Sequence, residues 1–155
     1  MNSISAMNVI RDSLRTYLVD PRTTAGSTTT RTFIYTDEPL ATTQYPRIQI
    51  KKIDNPSIPI SIGYDYTEYE QLFLNIWFYS KNNFKITVSG VEYKNEQITE
   101  YYLGLIKSTL KAQASTLHDD GVKMYKHVNT TMVDYDPETQ IYYGAVTIRV
   151  SYFNT

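Results

Sequence analysis

The sequence predicts an α+β fold: a mainly antiparallel sheet of about four to five strands, two helices packed on one face, and a protruding loop or hairpin arm. Three observations lead there. Two stretches, near the N-terminus and from about residue 95 to 117, carry apolar residues at helical spacing. The segments between and after them alternate apolar and polar residues at the two-residue period of strands. The order is helix, strands, helix, strands, without regular strand–helix alternation or a long internal repeat, which excludes a βαβ array and a solenoid.

In the first helix Ile4, Met7, Ile10, Leu14, Tyr17 and Leu18 form the apolar stripe, with Arg11, Asp12 and Arg15 on the other face. Ser3 or Ser5 is expected to cap its start and Asp20-Pro21 to end it. Residues 22–31 are small and polar and have nothing to bury, so they read as a mobile loop bounded by Arg22 and Arg31. The loop lacks the Gly-Lys-Ser/Thr ending of a phosphate-binding loop.

Residues 32–36 read as a short strand. Residues 45–53 make a better one, in which Ile48 and Ile50 alternate with Arg47, Gln49 and Lys51 behind Pro46. In residues 54–68, Pro56 and Pro59 interrupt an alternation of Ile58, Ile60, Ile62, Tyr64 and Tyr66. Missing ladder donors suit an edge hairpin or an arm that docks on a neighbour, with the five alternating residues on one face.

Residues 69–79 form the strongest strand. Leu72, Leu74, Ile76 and Phe78 point one way and Phe73, Asn75, Trp77 and Tyr79 the other, so the strand is central or serves an interface as well as the core. Ser89-Gly90 reads as a hairpin turn between strand formers, in preference to a capping box. The second helix has the stripe Ile98, Tyr102, Leu105, Ile106, Thr109 and Leu110, with acidic residues early and basic ones late. Residues 122–133 and 141–153 are the closing strands, joined by a turn over residues 134–140.

A chain of 155 residues is expected to form one domain, residues 1–155. The net charge of −1 argues against sequence-independent nucleic-acid binding as the main task. The absence of cysteine excludes disulfides, thiolate metal sites and cysteine nucleophiles. No apolar run reaches the length of a membrane span, and residues 1–6 do not read as a secretory signal, so no membrane partner is expected. The 15 tyrosines have two readings, protein interface or plain strand preference.

Candidate chemistry is sparse. His118 and His127 have no metal-ligand neighbours at helical spacing, and His118-Asp119-Asp120-Gly121 reads as a helix end and turn. Asp134, Asp136 and Glu138 mimic the start of a calcium loop, but Thr139 and Ala145 occupy the positions that need glycine and glutamate. Asp65, Glu68 and Glu70 lie among tyrosines, a pattern that binds sugars in some proteins and more often marks a solvated edge. Asn129-Thr130-Thr131 matches a glycosylation acceptor, which carries weight only in a secreted chain. No serine sits in a Gly-x-Ser-x-Gly elbow. The expectation is a non-enzyme without metal or cofactor. Arg47, Lys51 and Lys52 place positive charge on one strand, either a solvated face or a charged rim.

Four segments carry a family resemblance. They are the helix with Met7-Asn8-Val9-Ile10-Arg11-Asp12-Ser13-Leu14, the strand Tyr45-Pro46-Arg47-Ile48-Gln49-Ile50, the strand Leu72-Phe73-Leu74-Asn75-Ile76-Trp77-Phe78-Tyr79 with the helix that follows it, and the closing strand Ala145-Val146-Thr147-Ile148-Arg149-Val150-Ser151-Tyr152. In order, length and hydrophobic placement the chain resembles the tail completion or tail terminator proteins of long-tailed viruses, the group that includes minor tail protein U and the tail-to-head joining proteins. The resemblance covers most of the chain; the segment over residues 56–66 has no counterpart in it.

The resemblance implies a virion protein, assembled in the host cytoplasm, that forms a homo-oligomeric ring, usually a hexamer. Such a ring caps the head-proximal end of the tail tube and joins it to the neck or connector. Its partners would be itself, the tube protein and the connector, with passive contact to DNA in the lumen. Candidate interface residues are Arg22, Arg31, Arg47, Lys51, Lys52, Ile58, Ile60, Tyr64 and Tyr66. The alternatives are another neck or baseplate component, or a small tyrosine-rich module that binds a ligand or carbohydrate. The loop over residues 22–31 generates the first test: its amides are expected to exchange within seconds in the isolated protein, and hydrogen exchange read by mass spectrometry would reveal strong protection if the loop were ordered.

Overall fold

The computed structural model describes residues 1–22, 33–36, 45–62 and 65–154, with side chains at all of these except 57–68 and 154. The expected mobile loop, apart from Arg22, and the candidates Arg31 and Tyr64 lie outside the described residues.

Helix α1 (Ser3–Tyr17) starts on Asn2, whose side chain accepts the Ser5 amide at 2.8 Å, so the cap is Asn2 and neither of the expected serines. The helix ends at Tyr17, three residues before Asp20-Pro21. Ala6, Ile10 and Leu14 carry its buried side, while Ile4 and Tyr17, placed in the stripe from spacing alone, are exposed.

The strands are β1 (Ile34–Tyr35), β2 (Arg47–Asp54), β3 (Ser57–Ile62), β4 (Asp65–Lys81), β5 (Lys85–Val88), β6 (Val91–Lys94), β7 (Met124–Thr130), β8 (Asp134–Asp136) and β9 (Ile141–Asn154). The main sheet runs β1-β2-β4-β9-β7, with β3 on β4 and β8 on β9. All its pairings are antiparallel except β1 with β2. β2 and β3 share one flank of the 17-residue β4, β2 against its second half and β3 against its first. β9 covers the other flank from Glu68 to Lys81.

Residues 54–68 therefore form the edge hairpin that the prolines suggested, continuous with the central strand. The single alternating row does not survive. The backbone pairs Ile60 with Thr67 and Ser61 with Tyr66, so Ile60 and Tyr66 occupy registers of opposite parity, because the hairpin turn between them breaks the period.

β5 and β6 form the expected small hairpin, with Ser89 at φ 50° and Gly90 at φ 80° as its two turn residues. The second helical region breaks at Gln113 into α2 (Glu96–Ala112) and α3 (Ala114–Asp119). Leu103 is buried where the spacing had placed Leu105 and Thr109, which are only partly covered. Gly121, at φ 100°, turns the chain after α3 as expected. Asp134–Asp136 belongs to a short strand, so the last turn is tighter than the sequence suggested.

One face of the sheet makes the core. Ile48, Ile50, Leu72, Leu74, Ile76, Phe78, Val146, Ile148, Val150 and Tyr152 meet Ala6, Ile10 and Leu14 of α1, Ile98, Tyr102, Leu103, Ile106 and Leu110 of α2, and Leu117 of α3. The Phe78 and Tyr102 rings stack with centroids 4.6 Å apart, and Phe33 meets Tyr102 edge-on at 6.3 Å. Burial raises the Tyr102 phenol above the ordinary tyrosine range, and its hydroxyl donates to the Val19 carbonyl at 3.2 Å. At Gly144 a Cβ would stand 2.8 Å from Leu103 Cδ1, so glycine lets α2 approach β9.

Phe78 sits at the centre of this packing. Phe78→Ala is expected to lower unfolding free energy by about 3–5 kcal/mol in a denaturant titration, because the ring's contacts with Tyr102 cannot be replaced by collapse of the layer.

Candidate assembly surface

The other face of the sheet is assigned by register, since residues directly opposite each other across a ladder share a face. Along β4 it is carried by Gln71, Phe73, Asn75, Trp77 and Tyr79, all half-buried. Across from them lie Arg47 and Tyr143 beside Tyr79, Gln49 and Ala145 beside Trp77, and Lys51 and Thr147 beside Asn75. Arg149 stands beside Phe73, with Lys126 of β7 next to it. Of the described sheet residues that are buried and apolar, only the small Ala145 comes from this face, and no described helix packs there.

At one end the face is aromatic. Trp77 stacks near-parallel on Tyr79 with centroids 6.2 Å apart, and Tyr143 lies 6.2 Å from Trp77 and 6.4 Å from Tyr79. The Arg47 guanidinium lies 4.4 Å from the Tyr45 ring centre and 5.7 Å from that of Tyr79, and Lys81 Nζ is 5.7 Å from Tyr45. Tyr45, Trp77, Tyr79, Tyr143, Asp136 and Thr139 line a shallow hollow of about 390 Å³.

Carboxylates form the rim of this hollow. The Tyr143 hydroxyl donates to Asp134 at 3.3 Å, and the Asp134 charge holds the phenol above its usual range. Asp136 accepts the Thr139 hydroxyl at 2.6 Å and the Glu138 amide at 3.0 Å, which hold its carboxyl below the usual range.

The face is also cationic along its length and short of acceptors. The Nε atoms of Arg47 and Arg149 and the Ser151 hydroxyl are buried without a hydrogen-bond partner. Lys126 and Arg149 are direct cross-strand neighbours, an arrangement that repels. Among the described residues no carboxylate lies within ion-pair distance of Arg47, Lys81, Lys126 or Arg149.

The candidates named from sequence are dispersed. Arg47 and Lys51 belong to this face; Lys52, one residue on, pairs with Leu74 at the opposite parity and is exposed. Arg22 is bound to Asp20, two residues before it, through contacts of 2.7 and 3.0 Å. Ile58 and Ile60 lie in the β3 edge strand and Tyr66 in the hairpin arm of β4. Arg149, Lys126, Lys81, Tyr45 and Tyr143 were missed. Only the second apolar row of β4 pointed toward them, and cross-strand register was needed to add them. Among the described residues no group of three or more histidine, aspartate and glutamate side chains is gathered as a metal site would need.

No family model matches the chain, and no curated protein matches its sequence. One similar solved chain comes from a virion of a native gene transfer agent particle, at 9% identity over 80% of this chain and 81% of that one, with a TM-score of 0.33. A likeness at that level carries no argument about function.

The Asp136 contacts give a direct test. Its carboxyl is expected to titrate below the ordinary aspartate range in a carbon-detected NMR titration, and Thr139→Ala to move it upward, since the strongest bond to the charged form is then lost. The charged form is the one stabilised, so this contribution is present at neutral pH and fades as pH falls through the depressed value.

Proposed function

We propose that the protein is a structural component of a long-tailed virus particle, a tail terminator that forms a homo-oligomeric ring at the head-proximal end of the tail tube. In this reading the ring stops tube growth and presents a docking face to the neck. The observation that carries it is the second face of the sheet. Trp77, Tyr79, Tyr143 and Phe73, interleaved with Arg47 and Arg149, have the composition of a protein interface, rich in aromatics and arginine. A half-buried face of that kind beside a complete core on the opposite side suits a subunit better than a free monomer.

The succession helix, strand, central strand, helix and closing strands agrees with the resemblance in the sequence, while the edge hairpin over residues 56–66 stands outside it. The hairpin arm of β3 and β4, with Ile58 and Ile60, extends from the body at a sheet edge, where a neighbouring subunit or the tube can be met. Lys51 and Lys52 at the exposed end of β2 fit a rim facing the neck or DNA in the lumen.

The hollow lined by Tyr45, Trp77, Tyr143 and Asp136 favours one other reading, a sugar-binding module, since aromatic faces beside a carboxylate suit carbohydrate. Assembly state separates the two. The purified chain is expected to scatter light as a closed oligomer and to appear as rings in negative-stain images. Particles made without it are expected to have tails that are unjoined or of uncontrolled length. A monomer that binds oligosaccharide would overturn the terminator reading.

A further inference from the structure

We infer that the cationic aromatic face of the sheet docks on the outer flank of α1 and α3 of a second copy of this chain. The inference rests on the ring reading and names the contact that would build the ring. Four cations on one face have no carboxylate within ion-pair distance among the described residues, two of them are direct neighbours, and two arginine Nε atoms are buried without acceptors. Solvent screens the exposed Lys126, but no described group within the subunit accepts from the two buried arginine Nε atoms, and a carboxylate of a second copy would supply the acceptor.

The chain carries a complementary surface on its helical side. Asp12, Ser13, Thr16 and Tyr17 of α1 and Thr116 and Asp120 line a groove of about 430 Å³. Asp12 and Asp120 are exposed, and the Ser13 hydroxyl is buried without a partner. Asp12 gives one oxygen to Arg11 at 2.8 Å, while Asp120 has no cation within reach. Carboxylates with a spare hydroxyl suit a planar guanidinium, and the half-exposed Tyr17 ring offers it a stacking face.

The two surfaces lie on opposite sides of a two-layer body, one on the open sheet face and one on the helix layer. A contact between them is heterologous, and it closes into a ring when its rotation divides a full turn. Its near-neutral subunit, at −1, does not oppose assembly by net repulsion.

The test uses the full chain in sedimentation and light-scattering measurements. Arg47→Glu with Arg149→Glu, and separately Asp12→Arg with Asp120→Arg, are each expected to weaken self-association by at least about ten-fold. Mixing the two reversed chains, or combining all four changes in one chain, is expected to restore wild-type mass, because the charges again match. Circular dichroism checks folding, and Arg47→Gln with Arg149→Gln replaces the first variant if it does not fold. An oligomer that survives both reversals overturns this contact and leaves the ring intact. A wild-type chain that stays monomeric at every concentration overturns the ring reading itself. Binding of a labelled single-stranded DNA that is lost in the arginine variant while the oligomer is unchanged assigns the face to nucleic acid and also overturns the contact.

Discussion

Everything in this molecule hangs on the alternation within β4. Its even residues from Leu72 to Phe78 are fully buried beneath the helices, and its odd residues from Phe73 to Tyr79 form a second, half-covered row. A shift of one residue would exchange the two rows and place Trp77 under α2. The shift is opposed along the whole strand, because β9 pairs with it from Glu68 to Lys81 while β2 and β3 hold its other flank. The ring of Phe78 stacked on Tyr102 and the absent side chain at Gly144 then set how closely α2 lies on the sheet.

Polar contacts tie the helix layer to that frame. Arg15 of α1 donates to the Ile34 carbonyl of β1 through Nε and Nη2, and the amino terminus reaches the Phe153 carbonyl of β9 at 3.2 Å. At the end of β9 the buried Tyr152 hydroxyl bonds to Glu70, and the Asn55 amide donates to the same carboxylate at 3.0 Å. Burial first, and then the Glu70 bond, raise the Tyr152 phenol above its usual range. The carboxylate is thereby satisfied within the core, at the corner where β2 passes into β3. The sheet face and the outer helix flank are thus held at a fixed separation and angle, a requirement for any subunit contact that must close on itself.

Net charge conceals how the charges are distributed. The charges are partly segregated: cations gather on the open sheet face, with Asp134 and Asp136 at its rim, while Asp12, beside Arg11, and Asp120 stand on the outer side of α1 and at the end of α3, although the totals nearly cancel. A protein that held phosphate through general attraction would show an excess of one sign. Segregation with near cancellation instead favours complementary contacts between protein surfaces.

The α+β class, the place of most elements, the core row of β4, the Ser89-Gly90 hairpin and the glycine turn after α3 were all legible in the sequence. Each of these rests on a period or a turn preference that operates within about ten residues. The sequence also exposed the second apolar row of β4. It misjudged the start of α1, where the Asn2 side chain outcompetes the neighbouring serines for the Ser5 amide, and the Leu103 position, which faces inward because Gly144 admits it. The tertiary structure alone decided that Ile60 and Tyr66 fall on opposite parities, that Arg149 stands beside Lys126 and Phe73, and that Arg22 is bound to Asp20. Those facts depend on which strand pairs with which and in what register, and register is set by contacts between residues as far apart as Phe73 and Arg149. No local pattern encodes such a pairing, so the surface it assembles becomes visible only once the sheet has closed.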